Sequence, residues 1–407
     1  MVPEIPSKIY QRDIIQEILP YLEDKAAIIL LGSRQVGKTH ILYSLYSHLL
    51  SQQNQVYYLD LEESRYVTLL NKGAQELNNL LSEAGINLKQ KTFVFIDEIQ
   101  YLARPANFLK LAVDHFPHLK IIASGSSTFE IKKKTEKALV GRALTFEVFG
   151  LSFKEFLRFK EYQSRDAPVL TDIKRDELKN LFTEFALYGS YPQIALLAEK
   201  GKKEKYLWQI IDTYLKKDIR DLAYVQEIEK FNKLLEILAS QTGQLLNVNE
   251  LGRTCALSEQ TVKHYLFVLE NTYIIKLVRP FFQNKRSELF KTPKIYFYDS
   301  GLAHLLWLKT ISPTLMGSLF ETAVFSEIIK KFGKESVNFW RTKDKKEIDF
   351  IVRDKNKLLP VEAKINFAKF KPATMNYFCK RYHLDAYKVV SIEGESIKKF
   401  GAYPWEL

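Results

Sequence analysis

Three groups of residues have types and spacings that could do chemistry. The first is Gly32-Ser33-Arg34-Gln35-Val36-Gly37-Lys38-Thr39. Glycines let successive backbone N–H groups face one concavity, a nest for anions. A helix starting behind the loop adds the positive end of its dipole. Lys38 is expected to reach the β- and γ-phosphates of ATP, and the Thr39 hydroxyl to ligate Mg²⁺. The cofactor-binding stretch therefore runs from Gly32 to Thr39 and includes the following His40. The second group is Asp97-Glu98. Asp97 is expected to hold the Mg²⁺ shell and Glu98 to orient or deprotonate the attacking water, since phosphoryl transfer is mostly positioning and charge stabilisation. The third is Asp349, followed by Glu362-Ala363-Lys364, with Glu321 upstream. Side chains alternate along a strand, so Glu362 and Lys364 share a face. Glu321 shares a helical stripe with Val324, Phe325 and Ile328, and a carboxylate on an apolar stripe needs a partner or a metal.

The elements that must position these groups follow from pattern. Ala26–Leu31 is an apolar run before the glycine loop, and Ile41–Tyr46 reads as the helix after it. Strands are expected at Gln55–Leu61, Thr92–Ile96, Leu119–Ala123 and Leu144–Val148. Unbroken apolar runs suit a parallel sheet covered on both faces, and Asp97-Glu98 then lies at its carboxyl edge, where such sheets bind ligands. A docking helix is expected over Tyr10–Leu22, with Pro20 near its end. At the end of the fourth strand, Ser126 is the candidate to hydrogen-bond the γ-phosphate or the water; Ser127 and an ordinary turn are the alternatives. Arg142 precedes the fifth strand, where a guanidinium can reach a nucleotide held by a neighbouring subunit, or make a local salt bridge.

The chain has 407 residues, 46% hydrophobic and 27% charged, enough for two to four globular domains with ample core. No apolar stretch reaches the ~18–20 residues that span a bilayer. Met1–Pro6 has no basic and apolar signal pattern. Cys255 and Cys379 have no metal-type spacing and fit a reducing compartment, so the cytoplasm is expected and no membrane. The net charge of +12 suits either ordinary solubility or a polyanionic partner, DNA above all.

Gly32–Thr39, Phe95-Ile96-Asp97-Glu98, Gly125-Ser126-Ser127, Gly141-Arg142, Leu151–Phe156, Phe185–Pro192 and Tyr214–Asp218 together resemble the AAA-family ATPases with a C-terminal DUF4143 domain. The resemblance covers most of the chain. It implies an α/β multidomain protein: an AAA+-type P-loop parallel-sheet core over residues 1–151 and a helical lid over 152–228. Lys217-Asp218-Ile219 matches a family signature whose chemistry does not follow from the residues.

Residues 229–285 read as three helices and then two strands, with Tyr273–Val278 and Lys294–Tyr298 as the wing; this resembles a winged helix-turn-helix, assigned to residues 229–292. Ser258 is the expected N-cap of the third helix. Val262, Tyr265, Leu266 and Leu269 make its buried stripe, leaving Gln260, Thr261, Lys263 and His264 outward, where a recognition helix reads a groove. Arg279, Lys285 and Arg286 suit phosphates. Such modules also bind proteins. Residues 293–407, with Asp349 and Glu-x-Lys on neighbouring strands, resemble the PD-(D/E)XK (restriction-endonuclease-like) nuclease superfamily. That resemblance implies Asp349 and Glu362 as Mg²⁺ ligands, Lys364 positioning or helping to deprotonate the water, and Glu321 assisting; Arg341 could meet a phosphate.

The combined expectation is an ATP-hydrolysing, DNA-associated homo-oligomer, with an ATP-dependent hexamer as one assembly and branched DNA as one substrate. The rivals are an ATP-controlled signalling switch that binds proteins and an ATP-dependent metal nuclease.

Overall fold

In a computed structural model the chain forms two compact units, Met1–Gly150 and Leu151–Leu407. The structure describes residues 3–125, 139–162, 171–219, 223–282, 292–355 and 357–407, with backbone alone for 216–218.

The first unit contains α1 (Ile14–Ile18), β1 (Ala27–Leu31), α2 (Lys38–Ser51), β2 (Gln55–Asp60), α3 (Ser64–Leu70), α4 (Ala74–Glu83), β3 (Thr92–Asp97), α5 (Pro105–His115), β4 (Leu119–Gly125) and β5 (Ala143–Glu147). The strands form one parallel sheet in the order β2-β3-β4-β1-β5. Every residue of β1, β3 and β4 is buried, which is why their sequences are largely apolar and do not alternate. Leu70, Leu77, Leu81 and Leu109 from α3, α4 and α5 pack on Leu31, Leu59, Val94 and Ile96. Register places Asp60 beside Asp97, Ile96 beside Ala123 and Leu31 beside Gly125. The glycine loop, Asp97-Glu98 and the end of β4 thus share one sheet edge.

The expected Tyr10–Leu22 helix is shorter. It is α1 followed by a 3₁₀ turn, Leu19–Tyr21, that contains Pro20. Proline cannot donate to the preceding turn and its ring crowds it. The segment is held instead by Lys120 on β4, whose buried ammonium donates to the carbonyls of Tyr21 (2.7 Å), Asp24 (2.8 Å) and Ala26 (2.6 Å).

The second unit begins with α6 (Phe153–Phe159), α7 (Asp172–Tyr188), α8 (Pro192–Leu196) and α9 (Lys200–Ile210), which widens into a π-helical segment, Ile211–Ile219. Phe153, Phe156, Phe182 and Phe185 pack there as an aromatic cluster. The run Phe185–Pro192 has a steric reason. A Cβ on Gly301 would lie 2.3 Å from the Tyr188 carbonyl carbon, and one on Gly189 2.1 Å from Asp299 Oδ1. The Asp299 carboxylate accepts from the Ser190 N–H (2.6 Å), the Ser190 hydroxyl (2.8 Å) and the Leu302 N–H (2.9 Å).

Next come α10 (Ile228–Ser240), α11 (Val248–Cys255), α12 (Glu259–Asn271) and an antiparallel ribbon of β6 (Ile275–Val278) and β7 (Lys294–Phe297). Leu245 bridges to Lys294 beside it. Asn247 and Ser258 cap α11 and α12 by accepting from Glu250 N–H (3.2 Å) and Thr261 N–H (3.0 Å). Last are α13 (Ser300–Leu308), α14 (Gly317–Phe332), β8 (Val337–Arg341), β9 (Glu347–Asp354), β10 (Lys357–Asn366), α15 (Ala373–Tyr382), β11 (Lys388–Glu393) and β12 (Gly401–Ala402). Their sheet runs β12-β11-β10-β9-β8. The Tyr296 ring on β7 stacks on Phe325 of α14, with centroids 4.6 Å apart. The expected boundary at 292/293 therefore falls inside the β6/β7 ribbon. Among the described residues no helix is long and apolar enough to cross a membrane.

Candidate functional site

The glycine loop leaves β1 under tight steric control. A Cβ on Gly32 would sit 2.1 Å from the Val148 carbonyl oxygen. Gly37, immediately before α2, has φ 94° and ψ 24°, a left-handed conformation that glycine adopts without a Cβ penalty. Lys38 is 5% exposed, and its Nζ donates to the loop carbonyls of Gly32 (3.1 Å) and Ser33 (2.8 Å). Burial pulls the Lys38 pKa down to about 8, while Glu98 and Asp97 pull it back up. A buried ammonium that has lost water gains from an anion placed beside it.

The carboxylates at the same edge are held rigidly. Asp97 is buried; its Oδ2 accepts from the Tyr58 hydroxyl at 2.9 Å and its Oδ1 from the Ser124 hydroxyl. The Glu98 N–H donates to Asp97 Oδ1 (3.2 Å) and Ser124 Oγ (3.0 Å). Glu98 itself has φ 55°, a left-handed backbone that costs a non-glycine residue about 1 kcal/mol or more and that functional sites tend to retain. Burial, with help from Asp97 and Glu98, raises the pKa values of Asp60 and Glu62, as expected of an acidic edge that a cation would relieve.

A second cluster forms in the other unit. Asp349 Oδ2 accepts from the Ala363 N–H (2.9 Å) and lies 3.5 Å from Lys364 Nζ. Lys364 Nζ is 2.8 Å from Glu362 Oε1. Glu321 accepts from the Tyr296 hydroxyl and lies 3.6 Å from Lys294 Nζ. Lys294, 3% exposed, also stands 2.6 Å from Glu347 and 4.0 Å from Asp349. Arg341 pairs with Glu347 at 3.1 Å. Burial and the Asp349 charge raise the pKa of Glu321 to about 8 and that of Glu362 to about 7.

Residues 24–157 match the AAA domain family, residues 179–314 a domain of unknown function (DUF8612), and residues 316–406 a domain of unknown function (DUF4143). The chain is an AAA-family P-loop ATPase with a C-terminal DUF4143 domain. An uncharacterized protein of Haemophilus influenzae is 26% identical over 401 residues, covering 95% of this chain and 94% of its own. An uncharacterized protein of Methanocaldococcus jannaschii is 26% identical over 360 residues, covering 87% of this chain and 77% of its own. The Walker-type ATPase of Pyrococcus abyssi aligns with a TM-score of 0.47 at 16% identity, covering 75% of this chain and 98% of that one. The DUF8612 match runs from residue 179, within the expected lid, across the three helices and the ribbon to residue 314.

In the AAA domain the structure brings Gly32–Thr39, Asp97 and Glu98 to one edge. The hydroxyl of Thr39 and the carboxylate of Asp97 are hard oxygen donors of the kind Mg²⁺ prefers, and Tyr58 and Ser124 hold that carboxylate in place, so these residues fit the ion. Ser126 lies outside the described residues; Ser124, two positions earlier, is the serine that touches Asp97. Arg142 pairs with Asp114 (Nε–Oδ1 2.6 Å), the local salt bridge of the two alternatives. It precedes β5, at the sheet edge opposite the phosphate loop. Sequence reasoning missed Tyr58, Ser124 and Arg12.

In the DUF4143 domain Glu321, Asp349, Glu362 and Lys364 do converge. Among the described residues no group of three His, Cys, Asp or Glu is arranged to hold a metal, and the carboxylates are paired with Lys294 and Lys364. Lys294, Tyr296 and Glu347 were not foreseen. Arg341, read as a phosphate contact, is held by Glu347. On α12, Gln260, Lys263 and His264 are exposed and Thr261 is half-buried. Lys263 pairs with Glu259, the Thr261 hydroxyl bonds Ser258 Oγ (2.7 Å), and His264 Nε2 lies 3.1 Å from the Ala223 carbonyl. Arg286 lies outside the described residues.

Proposed function

We propose that this chain binds and hydrolyses ATP with Mg²⁺ and uses the nucleotide state to switch a DNA-engaging C-terminal half. One observation carries the ATPase reading: Lys38, Asp97 and Glu98 meet at the carboxyl edge of a parallel sheet, behind a loop that turns through a left-handed Gly37. Lys38 neutralises phosphate charge. Asp97 and Thr39 hold Mg²⁺, which supplies charge stabilisation to the transferring phosphoryl group. Glu98 orients the water and takes its proton. Phosphate release from Lys38→Ala and Glu98→Gln protein should fall by roughly 100-fold or more, with binding lost in the first and kept in the second. Equal rates for wild type and both variants would sink the ATPase reading.

The trans-acting role of Arg142 rests on its position, away from its own phosphate loop, and on a guanidinium 38% exposed beside Asp114. It requires a homo-oligomer. Mixing inactive Arg142→Ala and Lys38→Ala proteins should restore some turnover, and a protein that stays monomeric with ATP and hydrolyses normally rules it out.

DNA engagement is supported by the net charge of +12 and by three helices followed by a ribbon, with Gln260 and Lys263 exposed on the third. Titration with duplex, single-stranded and four-way DNA at two salt concentrations tests it, because phosphate contacts release counterions. No binding, or binding without salt dependence, favours the protein-binding switch. Lys294, which lies 3.6 Å from Glu321 and 4.0 Å from Asp349, favours binding without cleavage over a metal nuclease. Labelled DNA with Mg²⁺ or Mn²⁺ should stay intact; nicking abolished by Asp349→Ala would reverse that preference.

A further inference from the structure

The N-terminal segment delivers one side chain into the back of the phosphate loop. Arg12 is 5% exposed, although arginine is seldom buried without partners. Its Nη1 donates to the Val36 carbonyl at 2.7 Å. Its Nη2 donates to the Phe149 carbonyl at 2.9 Å and lies 3.5 Å from that of Gly150. The guanidinium is a rigid planar fork, so the two directions are fixed relative to each other. One points to the glycine loop, the other to the segment that follows β5.

The consequence for the loop comes from peptide geometry. The structure contains no cis peptide among the described residues. In a trans peptide the C=O and the next N–H point to opposite sides of the chain. Holding the Val36 carbonyl back toward Arg12 therefore turns the Gly37 N–H the other way. The strand residue just before the loop is bound to the same following segment: the Val148 N–H donates to the Leu31 carbonyl at 2.6 Å, and Gly32 lies against the Val148 carbonyl. Both ends of the loop are thus braced against residues 148–150.

The geometry points to Arg12 as a positioning residue that keeps the Gly37 N–H aimed at bound phosphate and ties the loop to Val148–Gly150. This rests on the ATPase reading for its ligand but not for its mechanics. A lysine can satisfy one carbonyl but cannot fork between two, so Arg12→Lys should rescue only part of what Arg12→Ala loses.

The test uses the full chain, with Mg-ADP titrated by calorimetry and amide hydrogen exchange followed in nucleotide-free protein. Arg12→Ala should weaken Mg-ADP binding about tenfold or more, as loss of charge-assisted hydrogen bonds implies, with Arg12→Lys in between. Exchange should quicken together in peptides covering residues 32–39 and 148–150. Affinity within twofold of wild type in folded Arg12→Ala, or faster exchange in the N-terminal segment alone, would overturn the proposal. If Arg12→Ala does not fold, Arg12→Lys decides: unchanged affinity and exchange overturn it. Wild type that binds no Mg-ADP defeats the ATPase reading, and the exchange comparison then still decides whether Arg12 braces the loop.

Discussion

Glu321→Gln is expected to stabilise the C-terminal unit at alkaline pH and to change little at acid pH. Glu321 is buried near Asp349, and together these raise its pKa from 4.5 to about 8. The folded state therefore binds this proton more tightly than the unfolded chain does. Stability from Glu321 is fully present below its unfolded value and is lost as pH rises from about 4.5 to about 8. Each tenfold in proton affinity is 1.36 kcal/mol, so ionised Glu321 costs on the order of 4 kcal/mol by the top of that window. Glutamine keeps an acceptor for the Tyr296 hydroxyl and carries no charge to desolvate; it gives up some attraction to Lys294, which retains Glu347 at 2.6 Å. A net gain of about 2 kcal/mol at pH 8.5 is a reasonable expectation once that loss is subtracted. All four tryptophans, at 208, 307, 340 and 405, belong to the second unit, so tryptophan fluorescence during denaturation reports that unit alone. Unfolding midpoints of variant and wild type should coincide near pH 4.5 and separate steadily above it. A constant offset, or a variant less stable at pH 8.5, would refute the charge reasoning.

Other outcomes follow from particular contacts. Ser124→Ala removes the hydroxyl that bonds Asp97 and accepts from the Glu98 N–H; kcat should drop about tenfold with KM little changed, measured by phosphate release. Gly301→Ala forces a Cβ to 2.3 Å from Tyr188 backbone and should destabilise the second unit by roughly 3 kcal/mol, visible as a lower denaturation midpoint by tryptophan fluorescence. Lys120→Met leaves the carbonyls of Tyr21, Asp24 and Ala26 without their shared donor; a loss of about 3 kcal/mol in the first unit should appear in circular dichroism melting.

The parallel sheet was readable because its cause is local. A strand buried on both faces is apolar along most of its length, as in the runs Ala27–Leu31, Phe93–Ile96 and Ile121–Ala123. The glycine loop was readable because its spacing encodes its own geometry. Caps were equally local: Ser258 sits one residue before the helix it begins. What escaped depends on residues far apart in the chain. Arg12 meets carbonyls 24 and 137 positions away, and Lys294 reaches acids on α14 and β9. Ser124 escaped for another reason. β4 continues to Gly125 rather than stopping at Ala123, so the hydroxyl that bonds Asp97 lies inside the strand. The Asp349, Glu362 and Lys364 pattern correctly brought those side chains together, but a motif lists only its own members. It could not show that an extra lysine would arrive from β7 and take up the negative charge.

That arrival restricts how this protein can be taken apart or recombined. β7 supplies half of a ribbon to the three helices before it, and Lys294 and Tyr296 to the acids and rings after it. A cassette cut at residue 293 would leave β6 without its partner strand, and one cut just after β7 would strand Glu321, Glu347 and Asp349 without their lysine. Chimaeras between relatives should therefore exchange the helices, ribbon and terminal sheet as a single block, and a lineage that changes Lys294 should have to change its acidic neighbours too.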